Sequence, residues 1–135
     1  MNILVICTGN SCRSQMMHGY LKNFLPDAVI YSAGIETHGV NPNAIYYMKE
    51  DGIDISAHTS NLIDEFMQIT FDHIISVCDH AKESCPVFPS KAKQHHYNFS
   101  DPSKAAGTKE VIGDAFRITR DQIKAFARGF SFGVE

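Results

Sequence analysis

The stretch Ile3-Leu4-Val5-Ile6-Cys7-Thr8-Gly9-Asn10-Ser11-Cys12-Arg13-Ser14 decides how the rest of the chain is read. Its apolar run is that of a strand buried on both faces, and a short loop of small and polar residues follows it. Beyond the loop, Met16, Met17, Tyr20, Leu21 and Phe24 recur at helical spacing, so a helix opens near Arg13 and ends before Pro26. A loop entering a helix N-terminus turns unpaired backbone N–H groups and the positive end of the macrodipole toward one spot. That spot is an anion cradle. Thr8, Gly9, Asn10, Ser11, Cys12, Arg13 and Ser14 are its candidate oxyanion-binding residues. Gly9 is read as permitting the tight curl, and Arg13 adds a planar fork that can grip two oxygens of a tetrahedral oxyanion. The same field favours thiolate over thiol at Cys7, which makes it the candidate nucleophile. Cys12 is read as a packing residue of the loop.

Outward from this segment, strand-like and helix-like stretches alternate without repeats. Val29-Ile30-Tyr31-Ser32-Ala33 is a second strand, closed by Gly34. A helix starts at Pro42 and runs to Asp51-Gly52, and a short one lies near Leu62–Ile69. His73–Val77 is a third strand leading into Cys78, and a weaker strand near Gln94–Tyr97 leads toward Asp101-Pro102. A last helix is expected from Lys109 to Arg128, leaving Gly129–Glu135 as a tail. Such alternation implies one α/β domain over residues 1–135: three layers, α/β/α, around a four-stranded parallel sheet. Ligands of such sheets sit beyond the carboxyl ends of the strands, so Cys7, Cys78 and Asp101 converge on one edge.

The chain has 135 residues, enough for a sizeable core, and its 44% hydrophobic and 20% charged content is ordinary for a globular protein. A net charge of -3 argues against nucleic acid or an anionic membrane as partner. No export-signal pattern and no membrane-span-length apolar stretch is present. Four cysteines without an export signal read as reduced thiols used for chemistry, and the cytoplasm is the expected compartment.

Cys78 and Cys85 form a second thiol pair. Three readings of them stand at this point: inert core thiols, a zinc site with His80 or His95-His96, and a dithiol that yields two electrons on becoming a disulfide. The zinc reading is weakened by a spacing wider than paired ligands normally use. Seven residue steps span about 10 Å in a helix and about 23 Å when extended, against the roughly 4.4–6.8 Å between Cα atoms that a disulfide needs. Closing this bond therefore requires a looped or unwound segment. Asp101, ahead of Pro102, is placed to protonate an oxygen as it leaves, and the plain alternative is an Asp-Pro turn. A nearby anionic substrate would raise its pKa.

These motifs together resemble the arsenate reductases that share the low-molecular-weight protein tyrosine phosphatase fold, specifically the thioredoxin-coupled branch. The resemblance covers nearly the whole chain: Cys7–Met16, Ser32–Pro42, Gly52–Ser56, the Cys78/Cys85 pair with Pro86, and Asp101-Pro102. It implies reduction of arsenate to arsenite, with Cys7 attacking arsenic and Asp101 helping water leave. Arg13, Ser14 and the loop amides would hold the oxyanion. Cys78 would then attack Cys7, giving a Cys7–Cys78 disulfide, and Cys85 would shift it to Cys78–Cys85. Thioredoxin would be the external donor, with glutaredoxin and glutathione as the alternative. No tightly bound cofactor and a monomer are expected.

Two departures stand out. The phosphatase branch typically has tyrosine after the Asp-Pro, where this chain has Ser103, and it lacks the paired cysteines. Some relatives bind potassium beside the loop. The matching positions are Asn10, His18, Ser32, Thr59 and Asn61, without a carboxylate, so no tight potassium site and no other metal is expected. The competing functions are a tyrosine phosphatase using Cys7, Arg13 and Asp101, and a non-enzymatic thiol redox sensor.

Overall fold

A computed structural model describes residues 1–84 and 91–134, the side chains of 82–84 excepted. Cys85 lies outside the described residues. The sheet has four parallel strands: β1 (Asn2–Cys7), β2 (Val29–Gly34), β3 (His73–Ser76) and β4 (Lys93–His96), ordered β2-β1-β3-β4. Four main helices accompany them: α1 (Arg13–Phe24), α2 (Pro42–Glu50), α3 (Asp79–Ser84) and α4 (Lys109–Val134).

β1 is central because it is apolar on both faces. Ile3, Leu4, Val5 and Ile6 are 0–1% exposed, and each such side chain contributes about 1.5–3 kcal/mol by leaving water. The outer strand β4, by contrast, is polar and part-exposed, as suits a sheet edge. α2 begins where Asn41 caps it: its side chain accepts hydrogen bonds from the amides of Asn43 and Ala44, and Pro42 occupies the first turn.

The structure revises several boundaries. The short helix near Leu62–Ile69 is a single 3-10 turn, Ile63–Phe66. The segment after Cys78, which a Cys78–Cys85 bond would require to be looped or unwound, begins as α3. α4 continues past Arg128 to Val134 and absorbs the presumed tail. Gly129 and Gly133 disfavour helix by about 1 kcal/mol each. Packing overrides them: Phe130 stands edge-on to the rings of His73 and His95, 5.1 Å away. Phe132, on the other side, is 71% exposed. Because every strand runs the same way, Cys7 at the end of β1, Cys78 just beyond β3 and the loop after β4 reach the same edge. Among the described residues no helix is long and apolar enough to cross a membrane.

Candidate active site

The loop between β1 and α1 encloses a cavity of about 380 Å³. Cys7, Thr8, Gly9, Ser11, Cys12 and Arg13 line it, and His38, Asp101, Ser103 and Lys104 complete its walls. Sequence reasoning found the first six and Asp101. It assigned no site role to His38, which reaches the cavity from the loop after β2, or to Ser103 and Lys104, which share the turn after Asp101.

Asn10 and Ser14 are placed differently from expectation. Neither lines the cavity, and both are 0% exposed. Asn10 donates from Nδ2 to Ser14 Oγ (2.9 Å) and accepts from the Asn61 amide (2.8 Å), so the two side chains brace the loop from behind. Asn10 also supplies the left-handed residue of the curl, at φ 47°. Asparagine tolerates that conformation better than most side chains. What Gly9 supplies is space, since a Cβ there would fall 2.5 Å from His38 Nδ1. Gly34, at the end of β2, has a sharper constraint: a Cβ would meet Glu36 O at 2.4 Å and Asn10 N at 2.7 Å. A glycine closing a strand beside the loop was the available signal for this role.

Further ties hold the loop. Gln15 donates to the carbonyls of Asn10 and Thr59, each at 3.0 Å, and Ser60 Oγ donates to Gly9 O. The amides of Glu36, His38 and Asn41 donate to Thr8 O, Gly9 O and Ser11 O, lashing the segment after β2 alongside. With these carbonyls engaged, the loop is held open for an anion before one arrives.

Arg13 donates to Phe99 O (2.9 Å), and its other nitrogen lies 3.6 Å from Asp101 Oδ2. Asp101 Oδ1 accepts from both the amide (3.0 Å) and the hydroxyl (2.6 Å) of Ser103. The Asp-Pro turn is thus real, and it aims the carboxyl at the cavity. Turn and acid are compatible readings of the same residues.

Cys78 Sγ lies 3.7 Å from Cys7 Sγ and 3.3 Å from Thr8 Oγ1. Both cysteines are free and buried. Their titration is coupled through the hydrogen bond that Cys7 donates. That bond, then burial, pushes the Cys7 thiol up, with Arg13 acting in the opposite direction. The same bond pulls Cys78 down to about 5, against burial and with help from Thr8. In this arrangement the bond to Cys78 and burial oppose the thiolate at Cys7, while the same bond and Thr8 favour it at Cys78. Two sulfurs in contact cannot both ionise readily. Cys12, 6% exposed at the start of α1, is pushed up to about 12 by burial and then by Asp101, consistent with a packing thiol.

Together, the open cradle, the guanidinium and the sulfur at its floor describe a site for a tetrahedral oxyanion. The profile of the low molecular weight phosphotyrosine protein phosphatases matches residues 2–134. The chain belongs to this family. Within the phosphatase-like family it is 51% identical to an arsenate reductase of Halalkalibacterium halodurans, over 90% of this chain and 88% of that protein. Two solved structures share its fold across 99% of this chain and 98% of theirs, each at 28% identity. They are an arsenate reductase in a phosphate-binding state, with TM-score 0.80, and one in an oxidised state, with TM-score 0.84.

The positions matching the potassium ligands of some family members do not fit a hard cation. Asn10 Oδ1 is already occupied by the Asn61 amide, and Thr59 O accepts from Gln15 and from Asn61. His18 Nδ1 sits 2.8 Å from Ser32 Oγ, and burial, then His58 and Lys22, push its pKa down to about 3. A neutral imidazole is a poor substitute for charged oxygen. Of the histidines in the zinc reading, His95 pairs with His73 at 3.0 Å and His96 with Ser76 and Asp79, and its Cys85 lies outside the described residues. Among the described residues no three histidine, cysteine or acidic side chains converge as a metal site.

Proposed function

We propose that this protein reduces arsenate to arsenite through a relay of three cysteines, Cys7, Cys78 and Cys85. The observation that carries the proposal is the 3.7 Å separation of Cys7 and Cys78 inside an oxyanion cradle. A hydrolase needs one cysteine there, because water finishes its reaction. A second sulfur within contact of the nucleophile gives the intermediate another partner.

The steps follow from charge and reach. Arg13 and the loop amides bind the oxyanion. The Cys7 proton has a short path to Cys78 along their hydrogen bond, and the Cys7 thiolate then attacks arsenic. One arsenate oxygen leaves as water with a proton from Asp101. Cys78, deprotonated again with support from Thr8, bonds to the Cys7 sulfur. The Cys7–arsenic bond breaks, its electron pair stays on arsenic, and arsenite departs. Arsenic has gained two electrons and the two thiols have lost them. Cys85 then attacks Cys78, freeing Cys7 and leaving a Cys78–Cys85 disulfide. A dithiol donor must reduce that bond, and thioredoxin of the cytoplasm is the one proposed.

Arsenite production with a thioredoxin system tests this directly. The intact chain should turn over, and Cys78→Ser and Cys85→Ser should each lower steady-state turnover by at least a hundredfold. Hydrolysis of a phenyl phosphate ester by Cys85→Ser at the intact chain's rate, with no arsenite from either protein, would make the phosphatase reading correct.

A further inference from the structure

Two hydrogen bonds of 2.6 Å flank Cys78 without touching it. His96 Nδ1 bonds to Ser76 Oγ, two residues before the cysteine, and His96 Nε2 bonds to Asp79 Oδ1, one residue after it. We propose that His96 is the positioning residue of the second redox step: it clasps the side chains of Ser76 and Asp79, on either side of Cys78, and so holds that sulfur against Cys7.

The inference rests on the three-cysteine reading and adds a residue to it. β3 ends at Ser76, and α3 starts at Asp79, so Cys78 sits in the two-residue turn between strand and helix. β4 lies alongside, with Ser76 directly opposite His96 in the register. The turn is fastened to the strand beyond: Tyr97 N donates to Ser76 O, Phe99 N to Val77 O, and Asp79 N to Asn98 Oδ1. Cys78 has no backbone tie in that series. Its sulfur meets Cys7, Thr8 and the Ala81 amide, and His96 adds a hold on the side chains of Ser76 before it and Asp79 after it.

Chemistry argues the same way. With Nε2–H donated to Asp79, Nδ1 accepts from the Ser76 hydroxyl when the ring is neutral, and donates to it when the ring is charged. The clasp survives either state. Ser76 is 4% exposed and does not line the Cys7 cavity, so the Ser76–His96–Asp79 series is not read as a hydrolytic triad. Asp79 is its exposed end, with 65% of its side chain in solvent. Left loose, a carboxylate adjacent to Cys78 would have no reason to stay turned toward β4. Positional error matters here, since a nucleophile must be held within a few tenths of an ångström of its line of attack.

The test isolates the Cys78 step. In full-length protein carrying Cys85→Ser, excess arsenate is mixed in, samples are quenched in acid, and the Cys7–Cys78 disulfide is followed by its loss of two thiols. His96→Ala should slow disulfide formation at least tenfold, while the inhibition constant of inorganic phosphate, which reports the cradle alone, stays within twofold. His96→Gln, able to donate to Asp79, should recover the rate to within threefold of the parent. Asp79→Ala breaks the same clasp from the exposed side and decides the matter if the histidine variant does not fold. It should be as slow as His96→Ala, and the double variant no slower than either. Disulfide formation within twofold of the parent in either alanine variant, or multiplied losses in the double one, would overturn the clasp. A parent protein that forms no Cys7–Cys78 disulfide with arsenate would overturn the relay reading and this inference with it.

Discussion

Replacing Thr8 with valine removes one hydroxyl and leaves the shape of the loop. Thr8 Oγ1 is 3.3 Å from Cys78 Sγ, and it holds the thiolate form of a sulfur that is 4% exposed. A hydrogen bond to a charged group is worth about 1.5–3 kcal/mol, and about 1.36 kcal/mol corresponds to one pKa unit. Thr8→Val should therefore raise the pKa of Cys78 by roughly 1–2. The sign is fixed by which form reacts. Cys78 attacks as thiolate, so its step is fast above the pKa and fades as pH falls through it. Below the parent's midpoint the variant should form the Cys7–Cys78 disulfide roughly tenfold more slowly than the parent, and well above both midpoints within about twofold. Single-turnover rates between pH 4.5 and 8.5 in the Cys85→Ser background give the midpoint directly. An unmoved midpoint, or a loss of equal size at every pH, would refute the reasoning, because it would mean the hydroxyl does not stabilise the charge.

Two further outcomes follow from the support behind the cradle. Asn10→Ala leaves the Asn61 amide and Ser14 without their partner and puts alanine at φ 47°, so it should cost about 3 kcal/mol and lower Tm by about 10 °C in calorimetry. A fall of under 3 °C would show that the brace is replaceable. Exchanging sodium for potassium at constant ionic strength should leave arsenite production unchanged, because the oxygens in question are engaged and His18 is neutral. Saturable stimulation by potassium would show that the network opens to admit the ion.

Legibility in the sequence tracked how local each cause is. The cradle was readable because strand, loop and helix are contiguous from Ile3 to Phe24, and burial on both faces of β1 leaves a plain apolar run. The end of α4 was misread since two glycines outweigh periodicity locally. The ring contacts of Phe130 with His73 and His95, far away in the chain, reverse that balance. His38 and Lys104 carried no motif of their own. They join the cavity only because their loops are brought to it.

From residue order alone came a parallel α/β sheet, an anion-binding loop with a sulfur in its floor, and the same sheet edge for Cys7, Cys78 and Asp101. Periodicity and turn chemistry act within a few residues, and parallel strands carry the rest. Tertiary structure alone decided how the two sulfurs meet, which loop residues line the cavity and which brace it, and how His96 spans Cys78. Each of those depends on distances of 2.6 to 3.7 Å between atoms separated by up to 71 residues, and only packing sets such distances.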